Sequence, residues 1–392
     1  MIKKIFIFTL LIFIFGEIFR FDLGNGIVLK PLDIGVGLTV IVWAIYKLIR
    51  KEKIKEKRIL LPMSLFILMG AVSLLIGHVG LSLSQMLVSF LYLVRWVAYA
   101  GIFFLVCDFD KKSKEQIARI LTVVGGLVVV FGYIQYFYYS NLRNLIYLGW
   151  DEHMYRMFSV FFDPNFAGAF FVLFFLFLSA NFFKKKNLLL GMLLILTLGG
   201  VFLTFSRSAL IMLVVAASLF LILKSRKKLI FLLFSIVLVV LLISSRYFNI
   251  TSINLFRVAS SEARIETAKD AIRIIEDHPF FGVGFNAYRY AQFRYGFRVK
   301  TSVFSHADAS PDNSFLFVLA TSGAVGLFFF IWMWIRTLKS NLADSALVFS
   351  SIFGVFVSSM FINSLFYTYI MFWLWIILGL NLNEDSKLKK SK

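Results

Sequence analysis

Apolar residues run along this chain in blocks of membrane-spanning length. The blocks fall at about 5–19, 31–49, 59–77, 84–106, 117–139, 166–183, 187–204, 208–224, 229–244, 314–335, 345–362 and 364–381. A helix of about 20 residues crosses about 30 Å of hydrocarbon, so the pattern predicts roughly twelve transmembrane helices, the first and the sixth to ninth running short. The longest polar segment, about 245–313, meets the next apolar block at Ser314. The predicted fold is an all-α polytopic membrane protein. Residues 1–244 carry spans 1–9, residues 245–313 form a large external loop containing amphipathic helices, and residues 314–392 carry spans 10–12 and a cytoplasmic tail.

Composition agrees with this class: of 392 residues 60% are hydrophobic, 48 are Phe, and the mean hydropathy is +0.86. A net charge of +20 would suggest nucleic acid as a partner of a soluble protein. Here most lysines sit in short loops, where the positive-inside rule places them, so no nucleic-acid partner is expected. The basic stretches are Lys51–Arg58, Lys111-Lys112, Lys184–Lys186, Lys224–Lys228 and the tail Lys387–Lys392. With an N-terminus inside, all of them fall on the cytoplasmic face. The same alternation puts Tyr139–Asn165, the turn Thr204–Ser208 and the loop 245–313 outside. Met1-Ile2-Lys3-Lys4 and the apolar run after it resemble a signal sequence, but Gly16-Glu17-Ile18 is a poor cleavage site, which predicts a retained first span. One cysteine, Cys107, excludes an internal disulfide, and the four histidines (78, 153, 278 and 306) lack zinc-hydrolase spacing.

The external loop carries seven arginines (246, 257, 264, 273, 289, 294, 298) and only two lysines (269, 300). Arginine suits bidentate capture of phosphate or carboxylate. Tyr288–Arg298 interleaves arginine with aromatics and has no acid, a surface suited to sugar faces and anionic headgroups. Ser261–Asp277 reads as an amphipathic helix with Ile265, Ala268, Ile272 and Ile275 on its apolar face, capped by Ser260 or Ser261 and stopped by His278-Pro279. Arg264 in its first turn is either an anion ligand or an exposed helix arginine. Gly282-Val283-Gly284 lacks the strand of a dinucleotide site and reads as a tight turn. Asp108-Phe109-Asp110 falls on the cytoplasmic side as a helix-end solubiliser. His306 is either a second acid–base group or an exposed loop histidine. Arg95, mid-span, marks function, a bundle-interior pair or a helix break.

Several segments together resemble the O-antigen ligase / O-antigen polymerase superfamily, integral membrane proteins that transfer glycans from an undecaprenyl-diphosphate carrier. Asp312-Asn313-Ser314 followed by Gly323-Ala324-Val325-Gly326 resembles the end of their late external loop. Arg264 with Asp277-His278-Pro279-Phe280-Phe281-Gly282-Val283-Gly284, Thr204-Phe205-Ser206-Arg207-Ser208, and Arg156 with Asp163-Pro164-Asn165 resemble further motifs of the family. Where Asp312 stands, the ligases usually have histidine, which favours polymerase-type or other surface-polysaccharide members.

The resemblance implies transfer from an undecaprenyl-diphosphate-linked oligosaccharide donor to a sugar or lipid-linked glycan acceptor, inverting and without metal or cofactor, at the external face of the cytoplasmic membrane of a bacterium. On this reading Asp312 is the general base, and Arg207 and Arg264 neutralise the leaving diphosphate. Arg156, Tyr288, Arg289, Arg294, His306 and Asn313 contact substrate. The other reading of Asp312 is a helix N-cap, and capping and catalysis can coexist. The alternative function is a multispan flippase of lipid-linked oligosaccharide, which would place ionisable groups near the midplane.

Overall fold

The computed structural model describes residues 1–24, 27–77, 80–226, 237, 255, 259–298, 306–340 and 344–382, without the side chains of 259, 260, 306 and 307. The predicted span 229–244 (apart from Val237, which is buried), the loop start 245–258 (apart from Leu255, also buried) and the basic tail 387–392 lie outside the described residues, as do His78, Arg246, Arg257, Lys300 and the His306 side chain. The regular structure among the described residues is almost wholly helical. The helices are α1 Ile2–Ile12, α2 Pro31–Ile49, α3 Leu60–Ile76, α4 Leu83–Asp108, α5 Lys111–Tyr138, α6 Pro164–Lys184, α7 Leu188–Leu203, α8 Arg207–Leu223, α9 Ala259–Asp277, α10 Tyr288–Arg294, α11 Ser314–Leu338, α12 Ser345–Ser358 and α13 Thr368–Leu380. A two-stranded hairpin pairs β1 (Phe21–Asp22) with β2 (Val28–Leu29) between α1 and α2.

Among the described residues, five helices are long and apolar enough to cross a membrane: α2, α4, α5, α6 and α11. Five shorter apolar helices accompany them: α3, α7, α8, α12 and α13. Helices α6 and α13 are buried around most of their circumference, as expected for apolar helices with no polar stripe. The outer helices expose Leu38, Ile41, Ile45 and Ile195, which suits a lipid-facing surface.

The two ends of the bundle differ in charge. At one end Lys47 pairs with Asp108 at 2.8 Å, and Lys184 and Lys224 meet Asp344 at 3.3 and 3.1 Å. Asp108 also accepts from Trp43 Nε1 at 2.8 Å, so Asp108-Phe109-Asp110 finishes a helix beside the predicted basic loops. The candidate functional residues lie at the other end.

The first span is shorter than predicted. α1 stops at Ile12, a 3-10 turn covers Phe13–Phe15, and Gly16 turns the chain at φ +53°. There Tyr369 Oη donates to the Gly16 carbonyl. The last span also starts late: residues 363–367 form a short 3-10 turn and linker before α13.

The two glycine motifs explain each other. α11 is broken at Gly323, where φ is +66° and ψ −174°. The break frees carbonyls and amides that a continuous helix would use internally. The segment 279–284 takes them up: the N–H groups of Val283 and Gly284 donate to the Ala320 and Thr321 carbonyls at 2.9 and 3.1 Å, and the N–H groups of Ala324 and Val325 donate to the Pro279 and Phe280 carbonyls at 2.8 and 3.4 Å. A Cβ on Gly323 would overlap the Phe280 carbonyl, and one on Gly282 would lie 2.5 Å from the Thr321 carbonyl carbon. Gly323→Ala is therefore expected to lose at least about 1–3 kcal/mol through its φ alone, with more from the overlap. The purified protein should melt lower, whereas Gly37→Ala, with nothing within 4 Å of its added Cβ, should not.

The amphipathic helix exists, but its apolar face is only partly the predicted one: Ile275 packs against the buried cluster, and Ile265 and Ile272 do not. Ile265 and Ile272 are 56% and 46% exposed, while Ala271 and Ile274 are fully buried. α9 lies against α11 through a small cluster that includes Ala271, Ile274, Tyr288, Ala291, Phe317 and Ala320. Asp270 is buried on the same face, with Arg298 at 3.9 Å. The inward face is set by what α10 and α11 present, so the apolar spacing of the helix alone does not decide it.

Candidate functional site

A cavity of about 860 Å³ opens at the end of the bundle away from the basic loops. Six stretches line it: Glu17 to Lys30, residues 147–166, the first turns of α9, the approach to α10, residues 309–312, and residues 362–368. Tyr92, Arg95 and Trp96 of α4, with Arg298, Phe317 and Met371, also line it.

Asp312 lines this cavity, two residues ahead of α11. It does not cap the helix. That role belongs to Asn313, whose Oδ1 accepts from the Phe315 and Leu316 N–H groups at 2.9 and 3.0 Å. The Ser314 N–H donates to the Ser359 carbonyl at 2.8 Å, fixing the junction against the end of α12. Burial pushes the Asp312 carboxyl up to about 6; the Arg264 guanidinium pulls it down, and Asp163 and Asp151 push it further up. Asp151 is itself raised, first by burial and then by Asp163.

Arg264 lines the same cavity. Arg207 begins α8 and is close enough to Arg264 for the two guanidinium charges to repel, although it is not part of the lining. Its turn is built by Arg156, which is only 5% exposed. The Arg156 Nε donates to the Thr204 carbonyl at 2.9 Å, and its Nη2 reaches the Phe205 carbonyl and Asn165 Oδ1, each at 3.4 Å. Ser206 Oγ donates to the same Asn165 oxygen at 2.9 Å. Phe205 is held at φ +47°. Asp163 caps α6 by accepting from the Asn165 and Phe166 N–H groups. The motif around Arg156 and Asp163-Pro164-Asn165 thus clamps the turn that presents Arg207. Local backbone strain gathers here: Phe162, Phe205 and the lining residues His153 and Asn286 all have positive φ.

The remaining predicted contacts divide. Arg289 lines the cavity. Arg294 does not; it lies beside Gly80. Tyr288 is fully buried in the cluster beneath α9, its hydroxyl 3.4 Å from the Thr267 carbonyl, so it is a packing residue. Asn313 is the cap rather than part of the lining.

Other lining residues were not singled out as site residues from the sequence. Arg95 is a bundle-interior pair: it meets Asp33 at 3.0 Å, lies over the Tyr92 ring at 4.5 Å and donates to the Val28 carbonyl. Glu17 and Lys30 pair at 2.5 Å, and Asp151, Trp150 and Tyr367 join them in the wall. The available signal was charge at the edge of an apolar run, as in Glu17 and Lys30. Among the described residues, no group of three His, Cys, Asp or Glu side chains is arranged to hold a metal ion.

Residues 192–331 match the family model described as O-Antigen ligase. The matched segment contains Arg207, Arg264 and Asp312 and supports the likeness to the O-antigen ligase / O-antigen polymerase superfamily. Comparison with curated proteins gives no match.

Proposed function

We propose that this chain of the O-antigen ligase / O-antigen polymerase superfamily transfers a glycan from an undecaprenyl-diphosphate-linked donor to a sugar hydroxyl, at the outer face of a bacterial cytoplasmic membrane. The observation that carries this reading is the meeting of Asp312 and Arg264 in one cavity, with Arg207 within electrostatic reach of Arg264. Asp312 takes the proton of the acceptor hydroxyl as its oxygen attacks the anomeric carbon. The anomeric C–O bond to the diphosphate breaks, and the electron pair leaves with the phosphate oxygen. Arg264 and Arg207 stabilise the charge that develops there. One displacement inverts the anomeric carbon. Arginine takes the place of a metal at the leaving group.

Arg156 supports this step by holding the turn before Arg207, and Arg289 supplies a further cation in the wall. The setting of Asp312 suits proton abstraction. A carboxyl titrating near 6 is a stronger base than an ordinary aspartate and is still ionised at neutral pH.

Two measurements test the reading. In a deletion strain, single repeat units accumulating on the lipid carrier identify a polymerase, polymer accumulating there identifies a ligase, and an unchanged lipid-linked pool contradicts both. Purified protein should transfer glycan in EDTA; loss of transfer with rescue by magnesium or manganese would overturn the metal-independent step.

A further inference from the structure

We propose that Glu17, held by Lys30 and Tyr367, forms with Trp150 a sugar-binding subsite that orients the glycan, outside the segment matched to the family. This rests on the reading that the cavity handles glycans.

Glu17 is 2% exposed yet lines the cavity. Its Oε1 accepts from Lys30 Nζ at 2.5 Å and from Tyr367 Oη at 3.2 Å. Its Oε2 has Arg20 Nη1 at 3.8 Å and no hydrogen-bond partner among the described residues. A buried carboxylate oxygen is costly to leave unbonded, and a carboxylate only accepts. The ligand that satisfies it must therefore donate, as a sugar hydroxyl does.

Arg20 ties this oxygen to an aromatic wall. Its guanidinium lies over the Trp150 ring at 5.4 Å, and Trp150 and the exposed Tyr147 both line the cavity. A broad apolar ring beside a hydroxyl acceptor suits a pyranose, which has C–H faces and hydroxyl edges. Phosphate suits these groups poorly. Lys30 and Arg20 are both within reach of Glu17, Arg95 is matched by Asp33, and the unbonded carboxylate oxygen repels an anion.

The probe is the repeat-unit oligosaccharide released by mild acid from the lipid carrier of a deletion strain. Its binding to the purified full chain is followed by saturation-transfer NMR. Wild type should bind it, and Gly37→Ala, outside the cavity lining and with nothing within 4 Å of its added Cβ, should bind it equally. Trp150→Ala and Glu17→Gln should each weaken binding about tenfold or more, and Trp150→Phe should restore most of it. Melting temperatures identify variants that misfold, and Trp150→Ala keeps the test open if Glu17→Gln, which leaves Lys30 without its carboxylate, proves unstable. Wild-type affinity in folded Trp150→Ala and Glu17→Gln, or no saturation transfer to the wild type, overturns the subsite. Such a failure leaves the transferase reading standing if Asp312→Asn still abolishes transfer. Saccharide binding that depends on Trp150 in a chain that transfers nothing would sink the transferase reading and leave the subsite.

Discussion

Asp312→Asn is expected to lose glycan transfer by roughly 10²–10⁴-fold while membrane level and melting temperature stay at wild type. Asparagine keeps the size of aspartate and cannot take the proton. The stability half of the prediction follows from the cap. Asn313, not Asp312, holds the first amides of α11. Asp312→Ala should therefore also spare the fold, whereas Asn313→Ala should cost about 0.5–2 kcal/mol. Asp312→His should keep some transfer if position and basicity are what count. A fully active Asp312→Asn protein would move the base to another group in the cavity.

Arg264→Ala is expected to lower kcat by about 10²–10³-fold, the effect typical of removing one preorganised donor from a developing charge. It should also leave a second trace. Arg264 pulls the Asp312 carboxyl downward, so its loss should move the acid limb of the residual activity to higher pH. A residue that only packs would not move that limb. Arg207→Lys should be impaired as well, since an ammonium cannot reproduce the two-pronged guanidinium contact. Full activity in that variant would reduce Arg207 to the first residue of its helix.

The sequence made the helices legible because their apolar blocks are long and loop charge punctuates them. It also brought Arg156, Asp163-Pro164-Asn165 and Thr204–Ser208 to one end of the molecule, by the alternation of spans. It could not show that these two segments bond each other through Asn165 and Ser206, since that contact depends on how α6 and α8 pack. The buried face of α9 was partly misread for a similar reason. Ile265 and Ile272 are as apolar as Ile274, but the neighbours of α9 accept Ala271 and Ile274. Glu17 and Lys30 stand apart in sequence at the edges of apolar blocks, and only the hairpin β1–β2, which folds the chain back, sets them 2.5 Å apart. Tyr288 and Arg294 were drawn into the site by composition alone. On a helix of seven residues only one face can look into the cavity, and Arg289 occupies it.

The raised carboxyl of Asp312 has two consequences of opposite sign. A folded-state pKa above the unfolded one favours folding while the group is protonated. That contribution is complete at low pH and is lost as pH rises through about 6. Activity runs the other way, because the base must be ionised. The direct measurement is the pH dependence of kcat/KM for the purified protein with its lipid-linked donor. If Asp312 is the base, kcat/KM should fall about tenfold per pH unit on the acid side of a limb near 6, and the limb should be absent from the residual activity of Asp312→Asn. A rate that stays flat down to the range of an ordinary aspartate, or a limb near 6 that survives in Asp312→Asn, would contradict the assignment.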